Sequence, residues 1–227
     1  MLLSFCFLSV QGQNLDTLTY TGDSTAMAVP LPLPVLRYSQ KQLYVPGALL
    51  VAGMSTFFNK KEGLKNELAE FRQNHFSGFR TQIDNYLQFL PLIATYALEG
   101  LGIPAKTDFA NQTALMIKSE GLMLGVTYLL KSSVREQRPD GSNDMSFPSG
   151  HTAQAFMAAT FLSQEYGYRY KWLPYAAYSL ASGTGLLRMA NNKHYICDVF
   201  VGAAVGILSV KLAYWTHHYK WGKHRAR

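Results

Sequence analysis

Apolar residues fall into separate stretches divided by polar turns, and their spacing is helical rather than alternating. The stretches cover residues 45–58, 86–103, 113–130, 152–162, 172–187 and 196–215. Asn59, Lys60 and Lys61 close the first, Gly102 and Pro104 the second, and Gly167 follows the fourth; Lys118 and Glu120 dilute the third. Between the first two, residues 62–84 carry mixed charges with Leu64, Leu68, Phe71, Phe76 and Phe79 spaced for one amphipathic, interfacial helix. Gly183 and Gly185, then Gly202 and Gly206, would let the last two helices approach their neighbours closely. No strand-like alternation and no internal repeat stands out. The pattern predicts an all-α bundle of about five or six helices. Several stretches are shorter than the ~20 residues of a straight membrane span, so flanking aromatic and small residues must extend them. A soluble bundle with buried apolar helices fits the pattern as well.

The N-terminal region reads differently. Residues 1–10 are short and apolar, followed by Gly12, Gln13 and Asn14. They resemble a secretory signal peptide that lacks its positive start, or else an ordinary hydrophobic N-terminus. Pro30, Pro32 and Pro34 then alternate with apolar residues, and each biases its predecessor away from helix. The expected organisation is a signal-like segment over 1–12, an extended arm over 13–44, one domain over 45–216 and a basic tail over 217–227.

Composition narrows the class. Charged residues are 15% of the 227, well below the roughly 25% of soluble proteins, while the mean hydropathy of −0.03 is low for a wholly membranous chain. A compact helical membrane domain with polar ends accounts for both. The formal charge of +7 gathers partly in Lys220, Lys223, Arg225 and Arg227, beside His217, His218 and His224. That suits a solvated tail flanking a membrane helix. No recognition helix, zinc-finger spacing or RNA-binding signature accompanies it, so no nucleic-acid partner is expected. Cys6 and Cys197 suggest neither a disulfide framework nor a zinc site.

Three segments carry candidate chemistry. In the first, Lys131 and Arg138 are seven residues apart, two helical turns, which would put both on one face before Pro139 helps end the element. In the second, Ser149 can cap the helix that follows, Gly150 allows close approach to an anion, and His151 sits in the first turn. In the third, Arg188 precedes His194 and Asp198, which lie at i and i+4 and share a face if the helix begins near His194. The carboxylate can hold one ring nitrogen as N–H and leave the other free to attack. Each segment alone has a plain structural explanation: a basic helix end at a membrane surface, a capped helix start, a structural His–Asp pair. Together they offer three cations, a helix N-terminus, two histidines and one carboxylate, the parts of an in-line phosphoryl-transfer site. No cluster of Asp or Glu suited to Mg²⁺ accompanies them, so the cations must offset phosphate charge.

These residues resemble the three-part signature of the type 2 phosphatidic acid phosphatase (PAP2) superfamily, Lys-x6-Arg-Pro, Pro-Ser-Gly-His and Ser-Arg-x5-His-x3-Asp. Here they read Lys131…Arg138-Pro139, Pro148-Ser149-Gly150-His151 and Leu187-Arg188…His194…Asp198. Order and spacing match throughout; the departure is Leu187, where serine is common. The resemblance implies a PAP2/haloperoxidase-like core and a metal-independent phosphatase without cofactor. By the same resemblance, Lys131, Arg138 and Arg188 bind phosphate oxygens with Ser149 and Gly150. His194, oriented by Asp198, forms a phosphohistidine, and His151 protonates the leaving group. The superfamily also holds soluble periplasmic acid phosphatases and vanadium-dependent haloperoxidases, whose pocket takes vanadate.

For a bacterial membrane enzyme the expected substrates are lipid phosphates: lipid A, phosphatidylglycerophosphate, phosphatidic acid or undecaprenyl pyrophosphate. The basic tail favours the cytoplasm, which puts the site on the periplasmic face of the inner membrane. Six spans would then leave the N-terminal end cytoplasmic, against a cleaved signal. The 14 residues of 45–58 favour the view that this stretch stops short of a full crossing.

Overall fold

The computed structural model describes residues 38–58 and 63–218. The signal-like segment, most of the arm and residues 219–227 of the tail lie outside the described residues. Among the described residues the fold is all-α, with no strand. A 3-10 turn at Gln40–Leu43 leads into α1 (Tyr44–Phe58), α2 (Leu64–Phe76), α3 (Ile83–Leu87), α4 (Leu90–Gly100), α5 (Phe109–Val134), α6 (Gly150–Tyr166), α7 (Leu173–Ala190) and α8 (Ile196–Trp215). Six of the eight make the bundle, and α2 and α3 lie across one end of it.

Helix α6 is the axis. It packs on α4, α5, α7 and α8 and is buried on nearly every side. A helix surrounded in this way needs small residues where its neighbours crowd, and Ala153, Ala155, Ala158 and Ala159 are all fully buried. One flank joins Leu115, Met123, Phe161, Val201 and Tyr214; the other joins Tyr166, Ala177 and Ala181. Helix α8 runs so close to α6 that a Cβ on Gly202 would lie 2.6 Å from Ser149 O, and one on Gly206 2.3 Å from Ala153 O. The expected glycine contacts thus form at Gly202, Gly206 and also Gly185, where Val199 Cγ1 would be 2.8 Å away. Gly183 is different, with nothing within 4 Å.

Two sequence expectations change. The single helix over 62–84 is two, because the chain turns back at Ser77 and Gly78: Arg72 Nε donates to Ala190 O at 3.0 Å and Thr81 pairs with Asn191. Tertiary hydrogen bonds at the end of α7 override the helical spacing. The stretch 86–103 also divides, and Pro91 opens α4 in its first turn. Residues 45–58 form one helix, α1, with Tyr44 added at its start. Gln42 in the preceding 3-10 turn accepts from Trp215 Nε1 at 2.9 Å at one end of α8, while Phe57 packs on Phe147 at the other, with ring centroids 4.9 Å apart.

Candidate active site

The three segments meet at one end of the bundle, where α5 and α7 finish and α6 and α8 begin. Helix α5 ends because Arg135 adopts the left-handed conformation (φ 50°) and donates its N–H to Lys131 O at 3.2 Å. Arg138 is therefore in a loop, and it does not share a helix face with Lys131 as the seven-residue spacing suggests. The loop folds back instead: Ser146 N donates to Glu136 O at 2.8 Å, Arg138 N to Asn143 O at 2.9 Å, and Lys131 Nζ to Met145 O at 2.7 Å. Lys131 still lies in the field of Arg138, Arg188 and Asp198. Burial, then the Arg188 guanidinium, pulls the Arg138 pKa below its ordinary value, with Asp140 and Asp198 opposing.

Ser149 is the N-cap of α6. Its Oγ accepts from Thr152 N at 3.4 Å and from Thr152 Oγ1 at 2.8 Å, so its own proton remains available to an oxygen ligand. Ser149 N donates to Asp198 O at 3.0 Å, tying the start of α6 to the start of α8. A Cβ on Gly150 would stand 4.0 Å from Lys131 Cε and Thr127 Cγ2, so glycine keeps a gap open between the helix start and the lysine. His151 turns to α3, its Nε2 2.8 Å from Asn85 Oδ1.

His194 precedes α8 rather than sitting on it. Tyr195 is the N-cap and Asp198 the third residue of the helix, whose Oδ2 accepts the Tyr195 N–H at 2.9 Å. The expected pairing forms by this route: His194 Nδ1 is 3.3 Å from Asp198 Oδ2. Ser146 Oγ donates to the same oxygen, and Cys197 Sγ lies 3.4 Å from Oδ1. Among the described residues His194 Nε2 makes no hydrogen bond. Burial pushes the His194 pKa down to about 4; Lys131 and Arg188 add to this and Asp198 opposes it. At neutral pH the ring is uncharged, as a nucleophile must be.

Arg188, in the last turn of α7, donates from NH1 to Asp84 Oδ2 at 2.6 Å. Asp84 Oδ1 accepts from Asn191 Nδ2 at 3.1 Å. Arg188 Nε and Arg138 Nε are both buried without a hydrogen-bond partner among the described residues. Arg138, His151 and Arg188 share a cleft of about 450 Å³ with Asp84, Asn85 and Lys193. His194 borders a second, more apolar cavity of about 290 Å³ beneath α2, with Leu68 and Phe71. Sequence reasoning missed Ser146, Asp84, Asn85 and Asn191. Ser146 adjoins the second segment and Asn191 lies within the third, but Asp84 and Asn85 sit on α3, more than sixty residues before His151, with no local signal.

Among the described residues no three His, Cys, Asp or Glu gather into a group that could hold a metal ion. The donor set suits an anion instead. Three cations, one capped helix start and two orphaned guanidinium N–H groups lie together with a buried histidine beside them, donors of the kind an oxyanion accepts from.

The family model of the PAP2 superfamily matches residues 113–222, the span that holds both motif histidines and all three motif cations. It is 39% identical over 167 residues to a lipid A 1-phosphatase of Porphyromonas gingivalis, an alignment covering 73% of this chain and 37% of that protein. A lipid A 1-phosphatase of Helicobacter pylori is 28% identical over 135 residues, covering 57% of this chain and 68% of that protein. The chain thus spans little more than a third of the length of the P. gingivalis relative. The fold is similar to the crystal structure of Aquifex aeolicus LpxE, with a TM-score of 0.51 and 24% identity over 68% of this chain and 97% of that one.

Proposed function

We propose that the chain is a metal-independent phosphatase that removes phosphate from a lipid phosphate through a phosphohistidine on His194. The observation that carries this reading is the pair of buried, unpartnered Nε–H groups on Arg138 and Arg188 beside the capped start of α6. A tetrahedral phosphate supplies the oxygens they lack, and Lys131 adds a third positive charge. His194 Nε2 forms the P–N bond as the P–O bond to the lipid breaks, and His151 passes a proton to the departing oxygen. Asp198 stabilises the phosphorylated, cationic imidazole. Water then attacks phosphorus, His151 takes back a proton, and phosphate leaves.

The lipid part of the reading rests on the relatives and on the surface. Lipid A 1-phosphate is the first candidate, because both similar phosphatases carry that name; phosphatidylglycerophosphate, phosphatidic acid and undecaprenyl pyrophosphate are the alternatives. Helices α5 and α8 are long and apolar enough to cross a membrane. On α5, Ile117, Leu124, Tyr128 and Leu129 are all exposed. An apolar face of that length is stable only under cover, and a bilayer supplies it. The site lies at the opposite end of α8 from Trp215, and the sequence after Trp215 is basic, which favours a periplasmic site in the inner membrane.

The test is phosphate release from these four lipids by detergent-purified protein, with and without EDTA. Turnover that survives EDTA and disappears in His194→Ala is the expected result. Strong inhibition by EDTA, or full activity of His194→Ala, overturns the mechanism. Labelling of a cysteine introduced at residue 143 in intact cells tests the side; labelling only after lysis refutes a periplasmic site.

A further inference from the structure

The two histidines have different partners. His194 faces a carboxylate, whereas His151 Nε2 is 2.8 Å from a neutral amide oxygen, Asn85 Oδ1. The difference suits two different tasks. A nucleophile that becomes a phospho-imidazolium gains from an adjacent negative charge. An acid that must release its proton loses strength beside one, and a second carboxylate would repel the phosphate.

Asn85 is exposed, and α3 has only five residues, too few to hold a helix by themselves. Its neighbours fix it. Asp84 is 1% exposed, clamped between Arg188 and Asn191. Thr81 N donates to Asn191 Oδ1 and Thr81 O accepts from Asn191 Nδ2, both at 2.9 Å. Gln88 Nε2 donates to Asn85 O at 2.9 Å. A short element outside the three motifs is thereby bolted to the end of α7, with Asn85 delivered to the imidazole of His151.

The geometry points to Asn85 as the positioning residue of the general acid. Its Oδ1 holds the ring with the proton on Nε2, which leaves Nδ1 to serve the reaction, the arrangement by which an orienting acceptor prepares a catalytic histidine. In the first step Nδ1–H of the imidazolium gives its proton to the lipid oxygen as the P–O bond breaks. In the second step Nδ1 accepts a proton from the attacking water. Asn85 exchanges no proton in either step. This inference rests on the phosphatase reading above.

The test compares kcat/KM, which reports the steps up to the phosphohistidine, for octyl phosphate and p-nitrophenyl phosphate with the full chain in detergent. The octyl alkoxide needs a proton to leave and p-nitrophenolate does not. Asn85→Ala should lower kcat/KM for octyl phosphate about tenfold or more, and for p-nitrophenyl phosphate less than about threefold. Asn85→Gln retains a neutral acceptor oxygen and should recover part of the ratio between the two substrates, whereas Asn85→Asp, which sets a carboxylate beside the acid, should not. Thermal melts of each variant register any loss of fold, which lowers both substrates together and leaves their ratio unmoved. An equal loss on both substrates, or a gain on octyl phosphate from removing a competitor for His151, overturns the assignment. Wild-type protein that cleaves neither substrate overturns the phosphatase reading itself, and this inference with it.

Discussion

Ser146 donates its hydroxyl proton to Asp198 Oδ2, the oxygen that His194 Nδ1 also faces at 3.3 Å. With the Tyr195 N–H at 2.9 Å, this one oxygen gathers three donors. Ser146 therefore fixes the carboxylate that fixes the histidine. Removing it leaves Asp198 a wider choice of rotamer and loosens the ring. Ser146→Ala should lower kcat for phosphate release about tenfold with little change in KM, since the serine touches no substrate. Wild-type kcat in that variant would show the contact to be incidental.

Acid should destabilise the fold through His194. Its folded pKa of about 4 lies below the ordinary 6.5, because burial disfavours the charged ring. Between those two values the unfolded chain binds a proton that the folded chain refuses. Stability from this group is fully present above about pH 6.5 and is lost as the pH falls toward 4. Melting temperature should fall across that window in the wild type and fall less steeply in His194→Gln. Parallel curves would mean that the ring titrates normally in the folded protein.

What could be read from the sequence followed from range. Helix α8 was predicted over 196–215 and forms at Ile196–Trp215, because one apolar run lies between a capping carboxylate and a polar tail. The three motif cations, the Ser149 cap and the His194–Asp198 pair are all set by local spacing, and all converge. The mode of convergence was less legible. Lys131 and Arg138 suggested one helix face, but a left-handed Arg135 ends α5 between them. His194 and Asp198 suggested one helix, but the pair closes across an N-cap. The break between α2 and α3 and the roles of Asp84 and Asn85 depend on contacts with residues about a hundred positions away on α7 or about sixty-six away on α6. No local period encodes those.

Arg188 divides its guanidinium between two tasks, which makes lysine a poor substitute. NH1 holds Asp84 at 2.6 Å while Nε stays buried and unpaired. A lysine ammonium cannot present both directions at once from one fork. Arg188→Lys should reduce kcat/KM for phosphate release roughly a hundredfold, the scale of losing one donor to a developing charge. Arg138→Lys, whose side chain makes no ion pair among the described residues, should lose less. Equal losses in the two variants would argue against the divided role.

The glycines of α7 and α8 offer a test of how packing supports the site. A methyl at Gly202 would lie 2.6 Å from Ser149 O and 3.4 Å from Ala153 N, so the start of α6 must move to admit it. That start carries the Ser149 cap, Gly150 and His151. Gly202→Ala should cost about 1–3 kcal/mol of stability by overpacking, and should lower phosphate release further than the fold loss explains. Gly183, on α7, has nothing within 4 Å of its virtual Cβ. There alanine removes only the conformational cost of glycine within a helix, so Gly183→Ala should stabilise by up to about 1 kcal/mol and leave turnover unchanged. Thermal melts and initial rates on the two variants separate the cases, and a Gly202→Ala protein as stable and active as wild type would refute the close approach of α8 to the start of α6.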